Sequence, residues 1–517
     1  MSKDLTTLPV HLAGDQLLVD LPAAAGQTTL DTFAGPVKVE WHEDSRLTAH
    51  GQMAFFIEFL KTSGRFDAWV ADCPLVTTSP NASQVRDVAG TQMLSILAGH
   101  RRYAHITALR SDSVLPELLG MSKVVSEDTV RRALKSIDEH DGLEWLQRHI
   151  DQCTHPLLAE RYIIDIDTTV KPLYGHQEGA VVSYNPKKPG RPSHVHHTYL
   201  LGGLRLVMGV ETAAGNEHTG KHSAPGLWAL IDRIPRDCWP TLLRGDSGIA
   251  SESVMREAEQ RRIDCLFKLR LTKNVKRLIE RTFSKGGWRD AGQGWQGKEE
   301  SLRLDGWSRQ RRVVVLRRKL KDGVVASARN DANQLRLGFA EIEADTELYE
   351  YAVLVTSLQE EVLSIAQLYR DRADCENVFD ELKNQWGWGG FTTHDLARCR
   401  LTARMVALVY NWWNIFVRLA EPDKHLEAIT SRPLLLAGIA ERVRHGRQTT
   451  LRVASTHGRA GWARSVLDGV ARFLRGLIDT AEQLTCDERW SRILSHALRS
   501  WLAGRQLRAP PRLMAPA

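Results

Sequence analysis

Cysteine is scarce in this 517-residue chain, and its distribution excludes two kinds of chemistry. The seven cysteines stand at 73, 153, 238, 265, 375, 399 and 486, an odd number, widely scattered and without a C-x-x-C pair. That pattern argues against a disulfide framework and a zinc site, and for free thiols in a reducing compartment. Long apolar runs are missing as well. No stretch of about 18 apolar residues occurs, so no membrane-spanning helix is expected. The start, MSKDLTTLPV, lacks the apolar segment of a secretory signal. No internal repeat or low-complexity block is found. These absences point to the cytoplasm.

What is present is an ordinary globular composition, 43% hydrophobic and 25% charged, long enough for two to four domains. The net charge of +7 permits a polyanionic partner. Arginine outnumbers lysine in the C-terminal part, which suits phosphate contacts.

Along the chain, VKVEW (37–41) reads as a short strand and MAFFIEFLKTSG (53–64) as a helix ending at Gly64. After the turn-rich VTTSPNASQ (76–84), helical periodicity covers 85–100, 114–120 and 126–138. The last two read as a helix-turn-helix, with Ser126 as cap and Arg131, Arg132 and Lys135 as candidate DNA contacts. From 160 the pattern changes. RYIIDIDTTV (161–170), GAVVSYN (179–185) and HTYLLGGLRLVMGVET (197–212) read as strands, the third bent at Gly202–Gly203. Helix 224–234, strand 241–248, helix 251–262 and strand 263–270 come next, which makes a mixed α/β sheet. Residues 275–357, with Trp288, Trp295 and Trp307, read as a β-rich insertion. Beyond about 363 helices are expected to the end, including 396–420 with Tyr410, Trp412 and Trp413 packed internally.

Two carboxylate positions stand out. In 161–170, strand alternation puts Asp165 and Asp167 on one face, and Asp167 lies nearer the C-terminal strand end, where ligands gather in open sheets. Asp246, in R-G-D-S-G, lies at another strand end. A solvated edge strand or a plain turn would explain each aspartate alone. The stretch LYRDRADCENVFDELKNQWGW (368–388) adds a third carboxylate. Read as one helix, it places Tyr369, Arg372, Glu376 and Lys383 within roughly 60° of one another, with Leu368, Cys375, Val378 and Leu382 opposite. Three converging carboxylates suit two Mg²⁺ or Mn²⁺ ions, hard cations able to promote in-line phosphodiester displacement. Arg372 and Lys383 could then hold DNA phosphates, and Tyr369 could stack or hydrogen-bond beside them. The histidines of HVHH (194–197) come after a Gly/Pro-rich stretch and read as a surface loop rather than a metal site.

The spacing Tyr369-x₂-Arg372-x₃-Glu376-x₆-Lys383 resembles the Y-R-E-K signature of bacterial insertion-sequence DDE transposases, and D-T-T (167–169) and R-G-D-S-G (244–248) resemble their two aspartate motifs. The stretch from IDIDTTV through YGHQEGAVVSYNPKKPGRPSH, with SRPLLLAGIAERV (431–443), is similar to the group 1 branch. The resemblance implies a ribonuclease H-like core interrupted by a β-rich insertion and flanked by helical regions. It divides the chain into a helical end-binding part (1–150), a first core part (151–274), the insertion (275–360), a second core part with the glutamate helix (361–420) and a C-terminal helical region for dimerisation or DNA contact (421–517). It implies Asp167, Asp246 and Glu376 as ligands of two Mg²⁺ ions, for which Mn²⁺ can substitute. Asp165 stays open as a fourth carboxylate on the same face. The resemblance also implies cut-and-paste chemistry on inverted-repeat ends and target DNA, a homodimer on paired ends, a nucleoid location when bound, and insertion tryptophans that hold a flipped base. Two other readings stay open: a domesticated nuclease that cuts without joining, and a non-catalytic DNA-binding regulator.

Overall fold

The computed structural model describes residues 28–41, 46–77, 79–185, 188–320, 349–454 and 456–507. The chain forms two compact units, Met1–Ser45 and Arg46–Ala517. In the first, β1 (Thr28–Thr32) and β2 (Gly35–Val39) form an antiparallel hairpin, so the strand expected at 37–41 is half of a ribbon.

The second unit opens with β3 (Leu47–Thr48), α1 (Met53–Ser63), α2 (Arg65–Ala71), α3 (Val85–Leu97), α4 (Val114–Leu118), α5 (Glu127–Ser136) and α6 (Glu139–Thr154). Gly64 ends α1 in the left-handed region (φ +69°), and a Cβ there would meet Cys486 Sγ at 2.7 Å. Ser126 caps α5 as expected, its hydroxyl accepting from the Thr129 N–H at 3.2 Å.

The core sheet comprises β4 (Ile163–Pro172), the short β5 (Val181–Val182), β6 (Pro192–Leu201), β7 (Leu206–Ala214), β8 (Leu242–Gly245) and β9 (Asp264–Lys268), with α7 (Gly220–Asp232) before β8 and α8 (Glu252–Arg261) before β9. β4, β6 and β7 run as an antiparallel meander, and β8 and β9 then add in parallel beside β4. The order β7-β6-β4-β8-β9, with helices as the parallel crossovers, is the ribonuclease H-like arrangement.

Two expectations are corrected here. The single bent strand at 197–212 is a hairpin of β6 and β7, because the left-handed Gly203 (φ +75°) and Arg205 (φ +55°) turn the chain back rather than bending it. The HVHH segment is no surface loop. It lies within β6, and His194, His196 and His197 are all buried. Burial lowers the pKa of each, His197 to about 4, so all three are held neutral. His196 Nδ1 and His197 Nδ1 sit 2.9 Å from the hydroxyls of Thr212 and Thr168. Hydroxyl partners on the flanking strands make a polar strand centre tolerable.

The insertion comprises α9 (Lys273–Phe283), β10 (Arg289–Gly292), β11 (Trp295–Leu302), β12 (Arg311–Lys319) and β13 (Tyr349–Thr356). β13 pairs antiparallel with β9, so the insertion extends the core sheet to ten strands among the described residues. The C-terminal part holds α10 (Val362–Arg370), α11 (Ala373–Asn384), α12 (Leu396–Ala420), α13 (Ala428–Leu435), β14 (Ala440–His445), β15 (Gln448–Val453), α14 (Ala460–Ile478) and α15 (Cys486–Ala497). α12 is the central pillar. Its Trp412 and Trp413 are buried against Trp69 and Phe56, and Trp69 stacks on Trp145 at 5.4 Å. Tyr410 is buried too, so these aromatics pack internally as expected.

The C-terminal region is not helical throughout. Residues 440–453 form the hairpin β14–β15, and β14 pairs with β3 from the start of the unit. Gly446 (φ +58°) makes the turn, and Thr449, Thr450 and Val453 carry the β preference.

One ion pair ties the sheet to the helices beside it. Asp165 on β4 lies opposite Arg244 on β8 in the parallel register. Arg244 Nε and Nη2 donate to the two Asp165 carboxylate oxygens at 2.5 and 2.7 Å, and both side chains are only 3% exposed. The remaining Nη1 donates to the Leu368 carbonyl in the last turn of α10. Removing one partner leaves a buried charge alone, so Asp165→Asn or Arg244→Met should each cost about 3–5 kcal/mol. Thermal melting should show a clear drop for each single variant and partial recovery in the Asp165→Asn/Arg244→Met double variant. Unchanged melting in both singles would remove the clamp from the account of the fold.

Candidate active site

The clamp fixes where the acidic residues fall. Two positions beyond Asp165 the alternation of β4 brings Asp167 to the same face, and two beyond Arg244 comes Asp246, just past the end of β8. Asp167 Oδ1 accepts from the Thr168 N–H at 2.8 Å. Asp246 Oδ1 accepts from the Gly248 N–H at 2.8 Å and so shapes its own turn. Gly245 has to be glycine, since a Cβ would lie 2.3 Å from Ile249 Cγ2.

The third group arrives on α11, and the element carrying it differs from expectation. Residues 368–388 are not one helix. α10 ends at Arg370, the backbone changes from i−4 to i−3 bonding at Arg372 (N–H to Tyr369 O, 3.1 Å), and α11 starts at Ala373. No glycine or proline marks the break. Tyr369 therefore sits in the last turn of one helix, Arg372 at the cap of the next, and Glu376 in its first turn, where the helix dipole favours a carboxylate.

Arg372 joins the two sides. It is buried, with Nη2 3.2 Å from Asp167 Oδ2 and Nη1 3.1 Å from Glu376 Oε1. Burial works against the Arg372 charge, but the Asp167 carboxylate beside it holds its pKa above the ordinary value. Burial pushes the Asp167 carboxyl up to about 6; Arg372 pulls it back, while the charges of Asp246 and Glu376 add to the rise. Tyr369 is held well up by burial and feels Arg372 and all three carboxylates. The structure thus brings Asp167, Asp246, Glu376, Tyr369 and Arg372 into one electrostatic neighbourhood. Arg372 faces Asp167 and Glu376, where the residue pattern alone suggested a phosphate contact.

Lys383 also differs. Its ammonium donates to the Val170 carbonyl at 2.7 Å, fastening α11 to the end of β4. Glu381 holds the same helix from the other side, its buried carboxylate accepting from the Trp386 indole (3.1 Å) and the Ala428 N–H (2.9 Å), with His425 Nε2 at 2.9 Å. Lys268, at the C-terminal end of β9, was missed in the sequence. Burial lowers its pKa and the charges of Glu376 and Asp246 raise it, so its ammonium faces the acidic cluster. The available signal was a lysine closing the apolar run IDCLFK.

The other candidates lie elsewhere. Arg131 and Arg132, on α5, bond Asp128 through its carboxylate and its carbonyl, and Lys135 is exposed on the same helix. In the insertion, Trp288 is half-buried with the Arg317 guanidinium 3.9 Å from its ring centroid, and Trp295 is half-buried with Arg318 at 4.9 Å. Trp307 is buried beside Arg311, which Glu252 and Glu259 hold.

Among the described residues no group of three or more His, Cys, Asp or Glu stands close enough to enclose a metal ion. The donor chemistry nevertheless fits a hard divalent cation: one carboxylate within β4, one in the turn after β8 and one in the first turn of α11, with Asp167 pushed up by burial and the two other charges. Arg372 supplies part of the positive charge the cluster calls for. Two of its nitrogens, Nε and Nη2, have no hydrogen-bond partner among the described residues, so the pairing is one of charge more than of bonding geometry.

The family described as "Transposase DDE domain group 1" matches residues 78–474. A search of curated proteins gave no match. Among solved structures, the chain is similar to a cryo-EM structure of the piggyBac transposase synaptic complex with hairpin DNA, at 12% identity and a TM-score of 0.39, over 87% of this chain and 86% of that one. Among the described residues, no helix is long and apolar enough to cross a membrane.

The raised Asp167 value makes a testable statement. Without a cation, its contribution to stability is full below the ordinary value of 3.8 and is lost as pH rises through about 6. A cation requires the ionised carboxylate, so Mn²⁺ binding measured by calorimetry should strengthen by roughly tenfold per pH unit up to about pH 6 and then level off. The Asp167→Asn variant should bind weakly with a flat profile. Equal Mn²⁺ affinity in the variant and the parent would remove Asp167 from the site.

Proposed function

Because the chain belongs to the transposase DDE domain group 1 family, we propose that it binds the terminal inverted repeats of an insertion sequence, cuts the DNA there and joins the ends to target DNA. A transposase DDE domain implies a metal-dependent DNA-cleaving enzyme. The finer reading is supported by the charges of Asp167 on β4, Asp246 just past the adjacent parallel β8 and Glu376 on α11, which act on one another and on the buried guanidinium of Arg372.

Asp167, Asp246 and Glu376 are the residues that would hold two divalent ions, Mg²⁺ or Mn²⁺. Such ions, when bound, supply activation of the attacking oxygen and stabilisation of the leaving oxygen in an in-line phosphodiester displacement. The protein's own groups do the rest. Asp167 gives up its proton before it can act as a ligand. Arg372 keeps Asp167 and Glu376 aligned and limits their mutual repulsion. Lys268 and Tyr369 flank the cluster as groups able to meet a phosphate oxygen. Lys383 and Glu381 orient the helix carrying Glu376. Of the insertion tryptophans, the half-buried Trp288 and Trp295 are the ones offered for a base turned out of the terminal duplex. Arg131, Arg132 and Lys135 on α5 are offered to the DNA ends.

Glu376→Gln keeps the size of the side chain and removes one ligand charge. The variant should bind DNA as the parent does but lose Mg²⁺-dependent cleavage by orders of magnitude, roughly the several kcal/mol a bound ion supplies. Robust cutting by a pure Glu376→Gln preparation would refute the assignment. Strand transfer of a pre-cut end into a second duplex separates a transposase from a nuclease that only cuts.

Both ends of a mobile element have to be held together before joining, which calls for two active sites. The protein is therefore expected to be mainly monomeric alone and dimeric on end DNA, as read by light scattering with and without an end duplex. Complete excision by a single protomer on paired ends would overturn this.

A further inference from the structure

The hairpin β14–β15 contains four arginines, at 442, 444, 447 and 452, against one acidic residue, Glu441. Arg444, Arg447 and Arg452 are exposed, and their side chains make no hydrogen bond or ion pair among the described residues. β15 is an edge strand, with β14 as its only neighbour in its sheet among the described residues. A protein core gives no reason for such a ribbon. Of its strand residues Ala440 alone is buried, and its charge is almost all of one sign.

Its base, by contrast, is held firmly. β14 pairs with β3 through Ala440↔Thr48 and Glu441↔Leu47. The Thr48 hydroxyl donates to Asp112 Oδ2 at 2.5 Å, and Asp112 Oδ1 accepts from the Val114 and Leu115 N–H groups at 2.9 and 3.0 Å, which caps α4. Arg442, the one arginine of the ribbon paired among the described residues, forms an ion pair with Glu117 on α4 itself. The ribbon is therefore anchored to α4, although about 300 residues separate the two in sequence.

We propose that β14–β15 is a duplex-DNA contact apart from the acidic cluster, a ribbon whose Arg444, Arg447 and Arg452 grip backbone phosphates beside α4. Guanidinium groups suit phosphate because they offer paired donors in one plane. A two-stranded ribbon also has the dimensions of a DNA groove. Cross-strand register puts Arg444 opposite Thr449 near the tip, leaves Arg447 in the turn and sets Arg452 opposite Glu441 toward the base. The contact is one of charge, so it carries affinity rather than sequence choice. It rests on the reading of the protein as a DNA-binding enzyme and extends it to a surface far in sequence from the acidic cluster.

The test uses the full chain and an arbitrary duplex, with affinity measured across a range of KCl concentrations. The triple variant Arg444→Ala/Arg447→Ala/Arg452→Ala should lower the slope of log affinity against log salt by about 2.7, at roughly 0.9 for each phosphate no longer gripped. Replacing the three by lysine should keep most of the slope, and melting temperature should not move in either variant, since the three side chains hold no polar partner among the described residues. If the parent chain binds the duplex and the alanine variant keeps its slope, the inference fails while the proposed function stands. If the slope is kept and light scattering shows that the dimer is gone, the ribbon is a surface between copies and the inference is likewise overturned. If the parent itself binds no duplex, the proposed function and this extension fall together.

Discussion

The rest of the site depends on the buried pair of Asp165 and Arg244. Arg244 satisfies both oxygens of a carboxylate on the neighbouring strand and, with its last amino group, a carbonyl at the end of α10. Those carbonyls at a helix end are otherwise without partners. The two tied points are 79 and 124 residues from Arg244 in sequence. A hydrophobic contact of equal area could hold β4, β8 and α10 together, but it would not set their register and axial position, because apolar attraction has no direction. The clamp does, and four residues of the candidate site lie a short step from it: Asp167 two residues from Asp165, Asp246 two from Arg244, Tyr369 next to Leu368 and Arg372 four beyond Leu368.

Around that frame the charges are balanced with few spare groups. Three carboxylates acting on one another from two strands and a helix would repel, and burial of Asp167 raises the cost. Arg372 answers Asp167 and Glu376 directly, and Lys268 faces the cluster from β9. The break between α10 and α11 is part of the same arrangement. A straight helix would have carried Tyr369, Arg372 and Glu376 along one line. The change to i−3 bonding at Arg372 lets the guanidinium turn into the sheet while Glu376 stays 60% exposed at the head of the new helix. The buried histidines of β6 obey a related rule. They cost less neutral than charged, and threonine hydroxyls on the flanking strands accommodate two of them.

Much of this was legible in the residues and some of it was not. The strands β4, β8 and β9, the cap at Ser126, the glycine after α1, the shared face of Asp165 and Asp167 and the turn at Asp246 come from alternation, capping preference and turn chemistry, all of them local. The hairpin at 440–453 carried its own signals, Gly446 and the pair Thr449–Thr450, but an arginine-rich segment between helices also has helical character. HVHH reads as polar, and polarity alone does not say that a strand of hydroxyls will run beside it. No single residue marks the break at Arg372.

What the sequence determined by itself is which side chains share a face: Asp165 with Asp167, and Tyr369, Arg372 and Glu376 near one another on a helical wheel. It could not choose between the two aspartates of β4, because period-two alternation treats them alike. The tertiary structure gives the two different neighbours through register. Asp165 meets Arg244 across the parallel pair and is consumed by it, while Asp167, one pleat further, has the Thr168 N–H and the Arg372 guanidinium beside it and stays near other negative charge. Periodicity along a strand or helix records direction relative to one's own backbone. The identity of the neighbour comes from pairing between segments far apart in sequence, which no local pattern contains.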